Sequence, residues 1–280
     1  MKTVRIIPRL DIKGPNLVKG IHLEGLRVLG NPGDFAKYYY EQGADEIMFM
    51  DVVASLYERN SLQEIIAETA KSIFIPITVG GGIRSLTDIR EILRSGADKV
   101  SINTAAVKRP EFIREASLEF GSSTIVVAIE AIKTGNEYYA FTDNGREQTG
   151  IEVVEWAKKV EELGAGELVI TSVDNEGTGK GLDVELISKI SEAVSIPIIA
   201  HGGVGSKDNV AKLLETQVID AVAIASGLHY EAIKHLNMNL DKGEEGNVDF
   251  LKSGRIVKNL KPFKLRDLKE HLHSKSIYCR

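Results

Sequence analysis

Two carboxylates stand where short apolar runs end: Asp11 closes RIIPRLD and Glu130 closes IVVAIE, 119 positions later. Such a pair on opposite sides of a substrate can protonate one atom while deprotonating another. Glycine-rich turns recur beside them. IPITVGGGIRS (75–85) returns as IPIIAHGGVGS (196–206), an offset of 121, so Gly81 and Gly82 are answered by Gly202 and Gly203. Glycine lets backbone N–H groups approach an anion with no Cβ in the way, and a following helix adds its positive N-terminal end. Asn103 with Thr104, and Ala225 with Ser226, are spaced to complete one cradle in each half. Two phosphate cradles with carboxylates between them imply an elongated bisphosphate substrate.

The matching runs further. GADEIMFMD (43–51) returns as GAGELVITSVD (164–174), again 121 later, and ADKVSIN (97–103) is weakly echoed by IDAVAIA (219–225), 122 later. Self-similarity at one offset marks a duplicated architecture, with halves at about 1–120 and 121–233. Asp51 and Asp174 become a second symmetric pair. Asp174 precedes NEGTGKG, a loop able to reach a phosphate through Gly177 and Thr178. Lys19, in LVKG, reads equally as a cation closing over an anionic substrate and as a solvated lysine.

The elements that must position these residues follow from the pattern. Eight continuous apolar runs read as strands buried on both faces: 4–10, 46–50, 75–79, 99–103, 124–130, 167–172, 196–200 and 221–226. Helical patterns lie between them at 32–42, 61–71, 86–95, 110–119, 151–163, 184–194 and 207–215. Asp34, Ser61 and Asp183 sit where N-caps belong, and Gly164 where a left-handed C-cap residue is expected. Strict alternation implies parallel strands joined by right-handed crossovers. Four units repeated as four more predict an α/β fold of one domain, a closed (β/α)8 TIM barrel. A doubly wound open sheet does not explain the duplication. In such barrels the chemistry lies at the C-terminal strand ends, where the carboxylates and the glycine cradles fall. The opposite face carries Arg5, Glu46, Lys99 and Glu167 at strand starts, predicting a ring of ion pairs that by default plugs the barrel. The polar stretch at about 234–263 reads either as a tolerated surface insertion or as part of the mouth beside which it emerges. A helix at 264–273 then closes the chain.

The composition bounds the rest. With 43% hydrophobic and 27% charged residues the chain has an ordinary large core, and no run reaches the apolar length of a membrane span. A net charge of −5 and a pI near 5.8 argue against general nucleic-acid affinity. One cysteine, Cys279, allows no internal disulfide and fits a reducing compartment. The N-terminus MKTVRIIPRLDIKG has no apolar h-region or cleavage site, so a cytoplasmic location is expected.

Taken together, RIIPRLDIK, KG, TVGGGIRS, GADKVSIN, FGSSTIVVAIE, the EWAK and ELGAGE run and TSVDNEGTGKG resemble the cyclase subunit of imidazole glycerol phosphate synthase over about residues 4–230. The resemblance implies that Asp11 and Glu130 are an acid–base pair for a reaction of ammonia with a ribulosyl formimino-carboxamide ribotide. It implies that the cradles at Gly82, Asn103 and Thr104, and at Gly177, Gly203 and Ser226, hold its two phosphates. Arg5, Glu46, Lys99 and Glu167 match the family's ammonia gate, which implies a glutaminase (glutamine amidotransferase) subunit docked beneath in a heterodimer. No metal or organic cofactor follows. This chain departs from the family in Glu130 for Asp, His201 for Ser, Arg9 for Cys, and in the insertion. His201 reads either as a hydrogen-bonded bystander or as retuned chemistry, since histidine titrates near neutrality. The alternative that the departures suggest is a paralogue passing ammonia to a sugar amidotransferase in surface-polysaccharide synthesis.

Overall fold

A computed structural model describes residues 3–54, 62–216, 219–236 and 259–280. In chain order the first half contains β1 (Arg5–Lys13), β2 (Asn16–Ile21), β3 (Glu24–Gly30), α1 (Pro32–Glu41), β4 (Ile47–Asp51), α2 (Gln63–Thr69), β5 (Ile77–Gly80), α3 (Leu86–Arg94), β6 (Lys99–Ile102), α4 (Thr104–Lys108) and α5 (Glu111–Phe120). The second half contains β7 (Ile125–Thr134), β8 (Glu137–Thr142), β9 (Glu147–Glu152), α6 (Val153–Glu162), β10 (Glu167–Ser172), α7 (Val184–Ser191), β11 (Ile198–His201), α8 (Lys207–Thr216), β12 (Ala221–Ile224) and α9 (Ser226–His235), with α10 (Leu265–Ser274) last.

Eight strands pair in parallel around a closed ring, β1–β4–β5–β6–β7–β10–β11–β12 and back to β1. This is the (β/α)8 barrel. Each barrel strand is apolar on both faces because its two faces serve two cores. Ile6, Leu10 and Ile12 of β1 pack outward beneath the helices, as do Ile125, Val127 and Ile129 of β7. Ile7, Met48, Val126, Ala128, Val169, Ile199, Ala221 and Ala223 fill the interior. The two-residue alternation of a strand therefore stacks Arg5, Ile7, Arg9 and Asp11 up the barrel axis from one strand. It likewise stacks Glu167, Val169 and Thr171 from β10.

Two hairpins went unforeseen. After β1 the chain runs back as β2 and β3, and after β7 as β8 and β9, each pair antiparallel. Their turns share one backbone: φ is +52 and +62 at His22 and Leu23, and +52 and +63 at Asp143 and Asn144. The turns meet over the mouth, where Asn144 Nδ2 donates to Leu23 O at 3.0 Å. The helix expected at 151–163 accordingly begins at Val153, because Ile151 and Glu152 finish β9. The Glu152 carboxylate then caps α6, accepting from Val154 N and Glu155 N at 2.9 and 3.0 Å.

The other caps divide. Asp183 caps α7 by accepting from Leu186 N at 3.1 Å, and Gly164 follows α6 at φ +96. Asp34 is not the cap of α1: Asn31 accepts from Gly33 N and Asp34 N, and Pro32 starts the helix with its φ already set. Ser61 lies outside the described residues, as does most of the insertion (237–258); Lys234 and His235 still belong to α9. The returning segment Asn259–Phe263 lies on the mouth loops, with Lys261 N donating to Gly205 O at 2.7 Å and Phe263 N to Gly227 O at 3.0 Å. Among the described residues no helix is long and apolar enough to cross a membrane.

Candidate active site

Asp11 and Glu130 end up on β1 and β7, four steps apart in either direction around the ring, so their strands face each other across the mouth. Their surroundings differ. Asp11 is buried and accepts from Arg9 Nε at 2.9 Å and from Lys19 Nζ at 3.2 Å. Burial alone would raise its pKa, but Arg9, Lys19 and His201 outweigh it and hold the carboxyl well below the usual range. Among the described residues no cation is bonded to Glu130. Its Oε2 accepts from Gly145 N at 2.8 Å, so the side chain is tethered to the β8–β9 turn. Burial is the largest effect there and, with Asp143 and Asp11 adding to it against Arg9 and the Gly145 N–H, pushes Glu130 up from 4.5 to about 7. One carboxylate is locked ionised and the other can exchange a proton near neutral pH, which is how one site obtains an acid and a base from two like groups.

A consequence for stability can be measured. A carboxyl raised in the folded state costs nothing below its unfolded pKa of 4.5, and stability is lost as pH rises through about 7. At about 1.4 kcal/mol per pKa unit the loss at pH 8 is roughly 3 kcal/mol. Glu130→Gln is therefore expected to raise the Tm by several degrees at pH 8 and to leave it nearly unchanged at pH 4. Equal shifts at both pH values would contradict this.

Between the two carboxylates lies a buried chain of charge. Arg9, besides Asp11, donates from Nη1 to Thr171 Oγ1 at 3.2 Å across the barrel. Lys19, on β2, bonds both Asp11 and Glu176, and neither lysine nor glutamate reaches solvent. Arg9 and Lys19 balance Asp11 and Glu176, as buried charges require. Behind Arg9, Tyr39 donates to His229 Nδ1 at 2.6 Å and His229 Nε2 donates to Arg9 O at 2.9 Å, fixing that strand segment from α9. His201 donates from Nδ1 to Ala223 O at 3.0 Å. Burial first, then Arg9, lowers its pKa to about 4, so the ring is neutral.

The glycine turns flank this chain. Gly81 and Gly82 have φ of +100 and +71, and Gly202 and Gly203 of +99 and +100. A Cβ at Gly81 would stand 2.2 Å from Asp51 O, and one at Gly203 2.1 Å from Gly181 O, so no other residue fits either turn. Asn103 and Ala225 precede α4 and α9 with nearly the same unusual backbone, φ −130 and ψ −85 against φ −114 and ψ −87. Neither supplies a side-chain cap, so the first N–H groups of both helices are left for another acceptor.

The two cradles open differently. The first is a cavity of about 190 Å³ lined by Arg9, Asp51, Gly81, Gly82, Asn103, Thr104 and Glu130, among others. The second, between Glu176, Gly177, His201, Gly202, Gly203, Ala225 and Ser226, is only about 10 Å³. The β2–β3 hairpin closes it: a Cβ at Gly177 would stand 2.6 Å from Gly20 O, and His22 N donates to Glu176 O at 2.9 Å. Thr178 is turned into its own loop, donating to Asn175 O at 2.7 Å.

Asp174 is a correction. It is exposed, and its Oδ2 accepts from Lys133 N at 2.8 Å outside the mouth, whereas Asp51 is buried and lines the first cavity. The chain leaves β10 at Ser172 and turns, so the carboxylate that returns toward the axis is Glu176. Sequence reasoning missed Glu176 and gave Arg9 little weight. A second carboxylate two residues after Asp174 was the available signal.

At the other end the four charges form a closed ring. Arg5 bonds Glu46 at 2.8 Å and also Glu167, and Lys99 bonds Glu46 at 3.1 Å and Glu167 at 3.0 Å. Glu46 is held in addition by Thr78 Oγ1. Arg5 and Lys99 keep 14% and 20% of their side chains exposed, so the ring is reachable from below.

The family description "Histidine biosynthesis protein" matches residues 5–234. Among similar curated proteins is an imidazole glycerol phosphate synthase subunit HisF from Legionella pneumophila, 59% identical over 206 residues, 73% of this chain and 97% of that one. The proteins of the same name from Lactococcus lactis subsp. cremoris strains MG1363 and SK11 are each 50% identical over 232 residues, 82% of this chain and 90% of theirs. These relatives favour the cyclase over the sugar-amidation paralogue. The chain belongs to the HisF family, the cyclase subunits of imidazole glycerol phosphate synthase in histidine biosynthesis.

Proposed function

We propose that this barrel carries out the cyclase reaction with Asp11 as the fixed base and Glu130 as the exchangeable acid, on a ribulosyl formimino-carboxamide ribotide held by both cradles. The observation that carries this reading is the divergence of two facing carboxylates, one ion-paired and one kept protonatable by burial. Ammonia adds to the ribulosyl part, with Asp11 accepting a proton from the attacking nitrogen. Glu130 supplies a proton to the departing group. The carbonyl oxygen leaves as water, the formimino C–N bond to the departing ribotide breaks, and closure of the imidazole ring leaves imidazole glycerol phosphate and aminoimidazole carboxamide ribotide. The backbone N–H groups after Gly81 and Asn103 take one phosphate, and those after Gly202 and Ala225 the other, once the β2–β3 hairpin lifts. Two phosphate charges near Glu130 raise its pKa further. At fixed free ammonia, kcat is therefore expected to fall about tenfold per pH unit above that pKa. A kcat profile still rising through pH 9 would sink the acid assignment.

Ammonia is supplied, on this reading, by a glutaminase subunit below the ring of Arg5, Glu46, Lys99 and Glu167. The interior above that ring is apolar (Ile7, Met48, Val126, Val169, Ile199), which passes neutral ammonia and rejects ammonium. Lys99→Met is expected to lower glutamine-driven turnover at least about tenfold, the scale of one lost charged contact. Turnover driven by added ammonium salt should stay within about twofold, below the resolution of one hydrogen bond. Equal losses in both assays would remove the gate assignment.

A further inference from the structure

The second cradle holds a buried acceptor, His201 Nε2, that no described residue satisfies. His201 Nδ1 donates to Ala223 O, so Nε2 carries a lone pair. That nitrogen is buried without a hydrogen-bond partner. Facing it at 3.9 Å is Glu176 Oε2, also an acceptor, whose carboxylate is kept ionised by Lys19 on its other oxygen. At that distance the two make no bond, and with the ring neutral they do not attract each other. Both line the cavity formed by Gly202, Gly203, Ala225 and Ser226. A fully ionised phosphate offers only more lone pairs here. Two adjacent hydroxyl donors would satisfy both atoms.

We propose that His201 Nε2 and Glu176 Oε2 read a vicinal hydroxyl pair beside the phosphate in the second cradle, making this half of the site selective for polyol phosphates. This rests on the two-cradle reading above. His201 is a specificity-determining residue rather than a proton carrier.

The test titrates full-length protein carrying Thr104→Asp, which blocks the first cradle by charge, with glycerol 3-phosphate and with propyl phosphate. A preference of at least about tenfold for glycerol 3-phosphate is expected, the equivalent of one good hydrogen bond. Adding His201→Phe should cut that preference to within about threefold while propyl phosphate still binds. His201→Gln, which keeps an acceptor, should restore most of it. Retained preference in His201→Phe, or equal binding of both ligands without it, overturns the proposal. Binding of both ligands that is unchanged by adding Ser226→Asp, or no binding of either, instead overturns the cradle itself and the proposal with it.

Discussion

Asp11→Asn is expected to lower kcat about 10²- to 10⁴-fold, the usual worth of a positioned acid or base, while KM for the bisphosphate changes little. Asparagine keeps one acceptor oxygen, which replaces the bond to Arg9 Nε or to Lys19 Nζ but not both, and its Nδ2 faces the other donor. What it lacks is the charge and the ability to take a proton. The buried chain then holds Arg9 and Lys19 against Glu176 alone. An uncompensated buried charge costs on the order of 3–5 kcal/mol, so the variant should also melt earlier. The ammonium-driven assay reads the first effect and thermal unfolding the second. Full turnover in Asp11→Asn would show that the ion-paired carboxylate is only a structural anion.

Arg9→Met should be the most destabilising change in the mouth, at about 3–5 kcal/mol near neutral pH, or on the order of 10 °C in Tm. It removes the bonds to Asp11 and Thr171 and leaves Asp11 and Glu176 with Lys19 as their one cation. The pH dependence identifies the cause. Asp11 has a depressed pKa in the folded protein, so its contribution is present above its unfolded pKa and lost as pH falls. The penalty of Arg9→Met should accordingly shrink below about pH 4, where unfolded aspartate takes up its proton. A penalty independent of pH would mean that packing of the arginine stem, not its charge, holds the mouth. Burial first and Arg9 second keep His201 neutral, so the variant should bring histidine titration part of the way back to its ordinary range.

How far the sequence told this in advance depends on which interaction placed each residue. The barrel strands were readable because each buries two faces, giving continuous apolar runs with one residue in two pointing at the axis. That parity put Arg5, Glu46, Lys99 and Glu167 in one layer and Asp11 opposite Glu130. The hairpins were not readable as strands, since β3 and β9 are mixed in polarity and Leu29 is their one buried residue. In the second hairpin, Asp143-Asn144-Gly145 is a hairpin turn signal that the spacing contained. In the first, His22 and Leu23 adopt the same backbone without any turn-forming residue, held by His22 Nδ1 on Val173 O at 2.9 Å. That turn is imposed by the tertiary fold. Strand parity also stops at the strand end. Asp174 looked equivalent to Asp51 by offset, yet the loop geometry sends it out to Lys133 and brings Glu176 in. Lys19 was ambiguous for the same reason, because only the hairpin decides that it reaches Asp11.

The proposed reaction requires one mouth with two anion sites bridged by a single substrate. Equilibrium titration of the intact chain measures this directly. Two inorganic phosphates should bind per chain, one of them lost in Thr104→Asp and the other in Ser226→Asp, whereas the bisphosphate ribotide should bind once. One phosphate per chain, or two bisphosphates, would contradict it.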